Sequence, residues 1–351
     1  MIVSDDWGLL SSSLAQVFGL KAGKKAMIIT DETVGNLYLN EVKNHLEANT
    51  PWHISTFAMP AGEKEKNIHN LQLILQAFHD EGLDRSSIIF ALGGGVVSDI
   101  VGFAASIYMR GLCYVNLPTT LMAQVDAAIG GKTAIDFLGD KNLIGTFHQP
   151  SLIYANIGTL ATLPQKEYIS GLAEVIKYGI IKDKELLDFL REHKDGILKQ
   201  EKPALLHIIN ASCNIKVDVV AKDEKDAGER QLLNFGHTFG HAIEALLGFS
   251  LPHGHCVALG MVCALEYSAR HLGLSPVEHK QALSAIDAFD LPLKLPSQFS
   301  LTPQEVYDKM LRDKKVADGQ MSIICTEKIG SAVILKNPNE EWVLKAIEAI
   351  L

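Results

Sequence analysis

Apolar and polar positions follow two textures along the chain. In the first half, short apolar runs recur at Ala26–Thr30, His53–Met59, Ile88–Leu92, Cys113–Leu117 and Leu152–Asn156. Each has the length of a buried strand and is too short for a helix. Between them, apolar residues fall at helical spacing around 37–46, at Ile68, Leu71, Leu75 and Phe78, and from Val96 to Met109. Repeated strand–helix alternation predicts a Rossmann-like α/β domain, with a mainly parallel sheet and helices on both faces. From about Gly158 the pattern turns helical, over 165–181, 184–193, 203–221, 230–247, 253–273, 276–289 and 302–311. Only Met321–Cys325 and Ala332–Leu335 read as strands there, as a small hairpin. The expected division is therefore an α/β domain over 1–157 and a mostly α-helical domain over 158–351. A cleft between two such domains is the default place for a site.

At 351 residues, two cores are the ordinary expectation. An apolar share of 47% with 21% charged residues is that of a globular protein. The net charge of −9 argues against nucleic acid or an anionic membrane as partner. Cys113, Cys213, Cys256, Cys263 and Cys325 are scattered and form no CxxC, which suits free thiols in a reducing compartment. The N-terminus lacks a basic segment followed by an apolar core, and no apolar run reaches the length of a membrane span. A soluble, cytoplasmic protein is expected.

Candidate chemistry sits in three places. The strand Ile88–Leu92 runs into Gly93-Gly94-Gly95 and a helix, so free N–H groups could meet a phosphate; a tight strand–helix turn explains the glycines equally well. The window Arg230–Met261 holds His237, His241, His253 and His255. His237 and His241, four apart, share one helical face, the arrangement of an open metal site or of two core histidines. Glu174 and Lys177 share a helical face of small and apolar residues, where a carboxylate is costly unless paired or coordinated. A salt bridge between them is the plain reading; Glu174 with His237 and His253 as a Zn²⁺ ligand set is the functional one. Arg110, Lys132, Lys141, Lys177, Lys216, Arg230, Lys314 and Lys315 supply cations in an acidic chain, suited to a substrate bearing phosphate and carboxylate.

The segments G-G-G-V-V-S-D, Y-M-R-G, P-T-T-L-M-A-Q-V-D, G-G-K-T-A-I-D, K-N-L-I-G, G-L-A-E-V-I-K, L-L-N-F-G-H-T-F-G-H-A-I-E, H-G-x-x-V and D-K-K-V resemble the 3-dehydroquinate synthases, sugar phosphate cyclases of the shikimate pathway. They run in the family's order from about residue 60 to 330. The resemblance implies a two-domain, usually dimeric enzyme that uses NAD⁺ and a divalent metal, Zn²⁺ or Co²⁺. Its reaction turns the phosphorylated sugar acid DAHP into 3-dehydroquinate and phosphate. Oxidation, phosphate elimination, reduction, ring opening and aldol closure follow in turn.

By motif, the resemblance makes Glu174, His237 and His253 the metal ligands. Its dinucleotide contacts become Gly62, Glu63, Lys66, Gly94, Gly95, Val96, Asp99, Thr119, Thr120, Lys132, Lys141, Thr159, Leu160, Ala161 and Thr162. Substrate falls to Arg110, Asp126, Lys132, Asn142, Lys177, Lys216, Arg230, Asn234 and Lys314 or Lys315. Catalytic roles fall to His241 as general acid/base, with Asp226, Lys177, Arg230 and Asn234. Three positions depart from the family's pattern: Asp226 stands for a glutamate, His255 for an acidic residue, and Asp136-Phe-Leu-Gly139 for a His-Pro loop. Related cyclases, 2-deoxy-scyllo-inosose and 2-epi-5-epi-valiolone synthase, and polyol dehydrogenases of the glycerol dehydrogenase type are the alternatives. By helical geometry, residues two apart lie about 200° apart around the axis, so only one of His253 and His255 can face a metal. The motif assigns His253 and turns His255 toward solvent, the first helical turn or a carboxylate.

Overall fold

The computed structural model describes residues 1–314 and 321–351. The chain divides into two compact units, Met1–Leu163 and Pro164–Leu351. The change of sequence texture at 157 coincides with the start of the short helix Ile157–Thr162 that closes the first unit.

The first unit carries strands β1 (Ile2–Ser4), β2 (Lys25–Asp31), β3 (His53–Met59), β4 (Ile88–Gly93), β5 (Cys113–Pro118), β6 (Lys132–Phe137), β7 (Asp140–Phe147) and β8 (Leu152–Asn156). Its helices are α1 (Leu10–Phe18), α2 (Glu32–Val34), α3 (Asn40–Asn49), α4 (Ile68–Asp80) and α5 (Gly95–Ile107). Six strands pair in parallel, in the order β1-β8-β5-β4-β2-β3. Side chains alternate across the sheet, and the two cores follow from that. Met27, Ile29, Ile89 and Ala91 pack with Leu71, Ile74 and Phe78 of α4 and Val97, Ile100 and Val101 of α5. Their neighbours Ala26, Ile28, Ile88 and Phe90 point the other way, onto Leu10 and Leu14 of α1 and Val42 and Leu46 of α3. Each large side chain buried this way contributes about 1.5–3 kcal/mol. Strand order reverses at β2, with β3 on one side and β4 on the other, and ligands of such sheets bind at the carboxyl ends around that point.

The short strand β1 and helix α1 carry too few apolar residues to stand out in the sequence. The segment after Ala128, which shows little core-like periodicity, is an antiparallel hairpin of β6 and β7. Thr133, Ala134 and Ile135 of β6 are buried, whereas β7 is half exposed along its length.

The second unit comprises α6 (Gln165–Ile181), α7 (Lys184–Glu192), α8 (Lys194–Leu198), α9 (Lys202–Lys222), α10 (His237–Leu246), α11 (His253–His271), α12 (Pro276–Asp287), α13 (Pro303–Lys314) and α14 (Glu340–Glu348). Strands β9 (Ser322–Lys328) and β10 (Ser331–Lys336) form the expected antiparallel hairpin. Two expectations need correction. The helix expected over 230–247 is interrupted, because a 3₁₀ turn over Glu229–Asn234 ends before Gly236, whose φ is +78°, and α10 starts only at His237. Nor is it true that no apolar run has the length of a membrane span, since the 21-residue α9 does by length and hydropathy. It is built as a core helix, however, burying Ala204, Leu205, Ile208, Ile209, Ser212, Cys213, Lys216 and Val219 while its other residues stay more open.

Glycines set how closely three of these helices approach. A Cβ at Gly260 of α11 would overlap the Gly236 carbonyl at the head of α10, and one at Gly240 would meet the Cys256 carbonyl at 2.9 Å. A Cβ at Gly254 would overlap the Ser170 carbonyl of α6. Backbone, not side chain, fills these crossings. Gly260→Ala is therefore expected to cost about 1–3 kcal/mol through overpacking, read as a lower urea midpoint at unchanged slope. A wild-type midpoint would show that α10 and α11 can part freely.

Candidate active site

In the second unit, the glycine crossings bring α6, α10 and α11 together at one point, and the charged and imidazole side chains gather there. Glu174, one turn along α6 from Ser170, is fully buried. Its Oε1 lies 3.4 Å from Nε2 of His237, the first residue of α10, and 3.8 Å from Nε2 of His253, the first residue of α11. Its Oε2 pairs with Lys177, itself buried and stacked over the Tyr178 ring at 5.0 Å. Both readings of Glu174 therefore hold at once: it pairs with Lys177 and also faces two imidazoles.

The other ring nitrogen of each histidine is already engaged. His237 Nδ1 lies 3.1 Å from the Phe235 carbonyl, and His253 Nδ1 lies 3.1 Å from Oε2 of Glu244. An Nδ1–H donated to these acceptors would leave each Nε2 lone pair facing Glu174. Two imidazole nitrogens and one carboxylate oxygen make a donor set that fits a divalent ion of the zinc type. His241 stands beside them, more exposed, with ligand atoms of His237, His241 and His253 all within 4.8 Å of one another. Its ring centre is 5.2 Å from that of His237 and 5.7 Å from that of His253.

Only one of the two histidines at the start of α11 joins this cluster. His255 is half buried and its Nδ1 makes no hydrogen bond among the described residues. Burial, and then the nearby Lys166 charge, push its pKa below the usual histidine value. Gly254 between the two histidines donates its N–H to Ser170 Oγ at 3.0 Å, which fixes the first turn of α11 against α6.

The remaining second-unit residues sit on the same framework. Arg230 and Lys216 are buried, at 2% and 6% exposure. Arg230 Nη1 donates to the Glu224 carbonyl at 2.6 Å, and its own N–H donates to Asp223, whose carboxylate also accepts from Ala227 and Gly228. That strapped loop carries Asp226 in left-handed backbone, φ +59°. Asn234 ends the 3₁₀ turn, three residues before His237. Lys314 closes α13, and both its side chain and Lys315 lie outside the described residues.

In the first unit the structure gathers most of the expected dinucleotide residues around β4. Gly94 precedes α5 as an N-cap without a side-chain hydrogen bond, so the helix end offers its N–H groups to a phosphate. A Cβ at Gly94 would meet Thr120 at 3.0 Å, and one at Gly95 would meet Ala127 at 3.2 Å, so bulk there would close the approach. Val96 follows in the first turn. Thr119 Oγ1 is buried without a hydrogen bond among the described residues, an orphan that a bound group would satisfy. The short helix containing Thr159, Leu160, Ala161 and Thr162 is tied to Tyr38, whose hydroxyl lies 2.5 Å from Thr162 Oγ1 and 3.2 Å from the Thr159 carbonyl. These features fit a dinucleotide.

Lys66 forms a second hub. Its buried ammonium reaches Asn142 Oδ1 at 2.7 Å, Glu63 at 3.0 Å, Asp99 at 3.2 Å and Asp136 at 3.7 Å, while Lys141 lies 3.8 Å from Glu63. Burial pulls its pKa down, but Asp99, Glu63 and Asp136 outweigh that and hold it above the usual lysine value. Burial likewise raises the Asp136 carboxyl, against the pull of the Asn142 N–H and Lys66. Gly62 precedes the hub at φ +118°. Arg110, Asp126 and Lys132 sit elsewhere in the unit: after α5, in the short helix Ala123–Ala127, and at the start of β6. Arg110 and Met109 are successive left-handed residues, as is Asn142. Such backbone costs of order 1 kcal/mol or more per residue and collects at functional positions.

Two family models match the chain in succession, the 3-dehydroquinate synthase N-terminal part over residues 56–170 and the C-terminal part over 171–316. The chain belongs to the 3-dehydroquinate synthase family. Among solved structures, this family member is similar to a 2-epi-5-epi-valiolone synthase from Streptomyces hygroscopicus subsp. jinggangensis with NAD⁺ and Zn²⁺ bound. The two are 29% identical over 99% of this chain and 95% of that one, with a TM-score of 0.89. A 2-deoxy-scyllo-inosose synthase complexed with carbaglucose-6-phosphate, NAD⁺ and Co²⁺ shares the fold at 20% identity and TM-score 0.88, over 100% and 96% of the chains. A glycerol dehydrogenase from Schizosaccharomyces pombe shares it more loosely, at 18% identity and TM-score 0.70 over 99% and 88%.

Sequence reading missed Ser170 and Glu244. Ser170 gives no local signal; Glu244 does, as a carboxylate inside the apolar stretch A-I-E-A-L-L. His253→Ala is expected to lose bound metal, whereas His255→Glu, able to pair with Lys166, should keep most of it. Metal content of the two purified variants checks this, and the opposite ranking would assign the ligand to His255.

Proposed function

We propose that this chain is a metal- and NAD⁺-dependent sugar phosphate cyclase that converts DAHP to 3-dehydroquinate and phosphate. The observation that carries the reading is the buried Glu174 carboxylate facing Nε2 of both His237 and His253, in a chain matched by both family models. The first unit would hold NAD⁺ around Gly94, Gly95 and Thr119; the second would hold the metal on Glu174, His237 and His253. When bound, these groups supply hydride acceptance and return, and acidification of a sugar hydroxyl.

The protein's own residues do the rest. His241, exposed beside the cluster, takes the hydroxyl proton as the alcohol carbon is oxidised and can return one on reduction. Oxidation leaves a ketone, so the neighbouring carbon loses a proton more easily and phosphate departs with the C–O bonding pair. After the hydride comes back, the freed hemiketal opens and the enolate attacks the ketone to close the carbocycle. Arg230, Lys216 and Asn234 would hold the substrate carboxylate and hydroxyls, and Arg110, Lys132 and Asn142 the phosphate side. Buried Arg230 and Lys216 suit an anionic group, since a fixed guanidinium and ammonium bind carboxylate without reorganisation. Lys177, paired with Glu174, would act on the substrate from the same helix. A homodimer is part of the same proposal.

The likeness to 2-epi-5-epi-valiolone synthase supports a second reading, a cyclase acting on a sugar phosphate without the carboxylate. One assay separates them. With DAHP, NAD⁺ and Zn²⁺, 3-dehydroquinate and phosphate should form in equal amounts with no net NADH, and a chelator should abolish turnover. Preference for a carboxylate-free sugar phosphate would establish the second reading, and steady NADH release would point to a dehydrogenase.

A further inference from the structure

Glu244 is 4% exposed and lies on α10 among the buried Ala242 and Ile243. A carboxylate there is expensive unless something opposes it. What faces it is His253 Nδ1, at 3.1 Å, across the crossing of α10 and α11. We propose that Glu244 is the positioning residue of the metal site: it fixes the His253 tautomer and ring orientation, and its charge makes His253 the stronger donor of the two imidazoles. The inference rests on the metal reading above and adds a residue which that reading does not contain.

Three observations carry it. His237, His241 and Glu244 follow one another at four and then three residues, so one face of α10 presents a donor, the exposed imidazole and the carboxylate in turn. Glu244 Oε2 lies 3.1 Å from Nδ1 and Glu174 Oε1 lies 3.8 Å from Nε2, so each ring nitrogen has a carboxylate beside it. The other imidazole, His237, has the neutral Phe235 carbonyl at its Nδ1. A full negative charge on one ring and a dipole on the other make the two nitrogen donors unequal, because a carboxylate raises the basicity of the imidazole it binds more than a carbonyl does. Glu244 and His253 come from different helices, so the contact also ties the two donors to a single frame.

Glu244→Gln keeps the shape and an acceptor oxygen but removes the charge, so it separates positioning by charge from filling of space. Zn²⁺ affinity, measured on full-length protein by competition with a chromophoric chelator, is expected to fall 10- to 100-fold. The visible absorption of the Co²⁺-loaded variant should shift at saturating metal, a readout that packing alone would not move. Thermal unfolding of the metal-free protein should stay near wild type. Wild-type Zn²⁺ affinity with an unchanged Co²⁺ spectrum would overturn the proposal. Should the variant fold poorly, ¹⁵N-histidine spectra of the Zn²⁺-loaded wild type decide instead: His253 must show a protonated Nδ1 and a metal-bound Nε2, and the reverse tautomer refutes the role. A wild-type chain that binds no metal would defeat the cyclase reading itself, an outcome distinct from either result with Glu244.

Discussion

Backbone contact between helices is the constraint on which the metal cluster depends. Where Gly260 meets Gly236 and Gly254 meets Ser170, no side chain separates α11 from its neighbours. His237 adjoins Gly236, His253 adjoins Gly254, and Glu174 lies one turn from Ser170. The donors are thus placed by contacts that admit no slack, since tightly packed interiors transmit displacement and tolerate little added volume. Longer side chains at the crossings would set the helices apart, and the short reach of an imidazole could not make up the difference.

Much of this was legible in the sequence because it is written in local patterns. The runs at Ala26–Thr30 and Ile88–Leu92 are strands for the reason their composition gives: buried on both faces, they read as continuous apolar stretches. Helix α6 is equally clear from 165 to 181. What escaped was set by distant partners. Nothing near Gly236 announces that its backbone must turn left-handed to fit against Met261, 2.7 Å from where a Cβ would stand. The hairpin of β6 and β7 hides because half of it faces out.

The site divides in the same way. Glu174, His237 and His253 carry motif signals, and the structure brings all three together. Ser170 does not, since its role is to receive an N–H from a residue 84 positions away. Strain is the least legible property of all. Arg110, Asn142 and Asp226 each adopt a conformation that their side chains disfavour, and no sequence pattern distinguishes them from ordinary loop residues. Lys66, by contrast, appears in a charged stretch as one lysine among several and turns out to be buried amid three carboxylates.

The three side chains proposed as metal donors belong to Pro164–Leu351, and the glycine-bounded helix end, with a Thr119 hydroxyl unpaired among the described residues, belongs to Met1–Leu163. Each half can therefore take up its own ligand by mass action, and each ligand would stabilise the half that holds it. Scarcity of the ion would then lower the stability of the helical half.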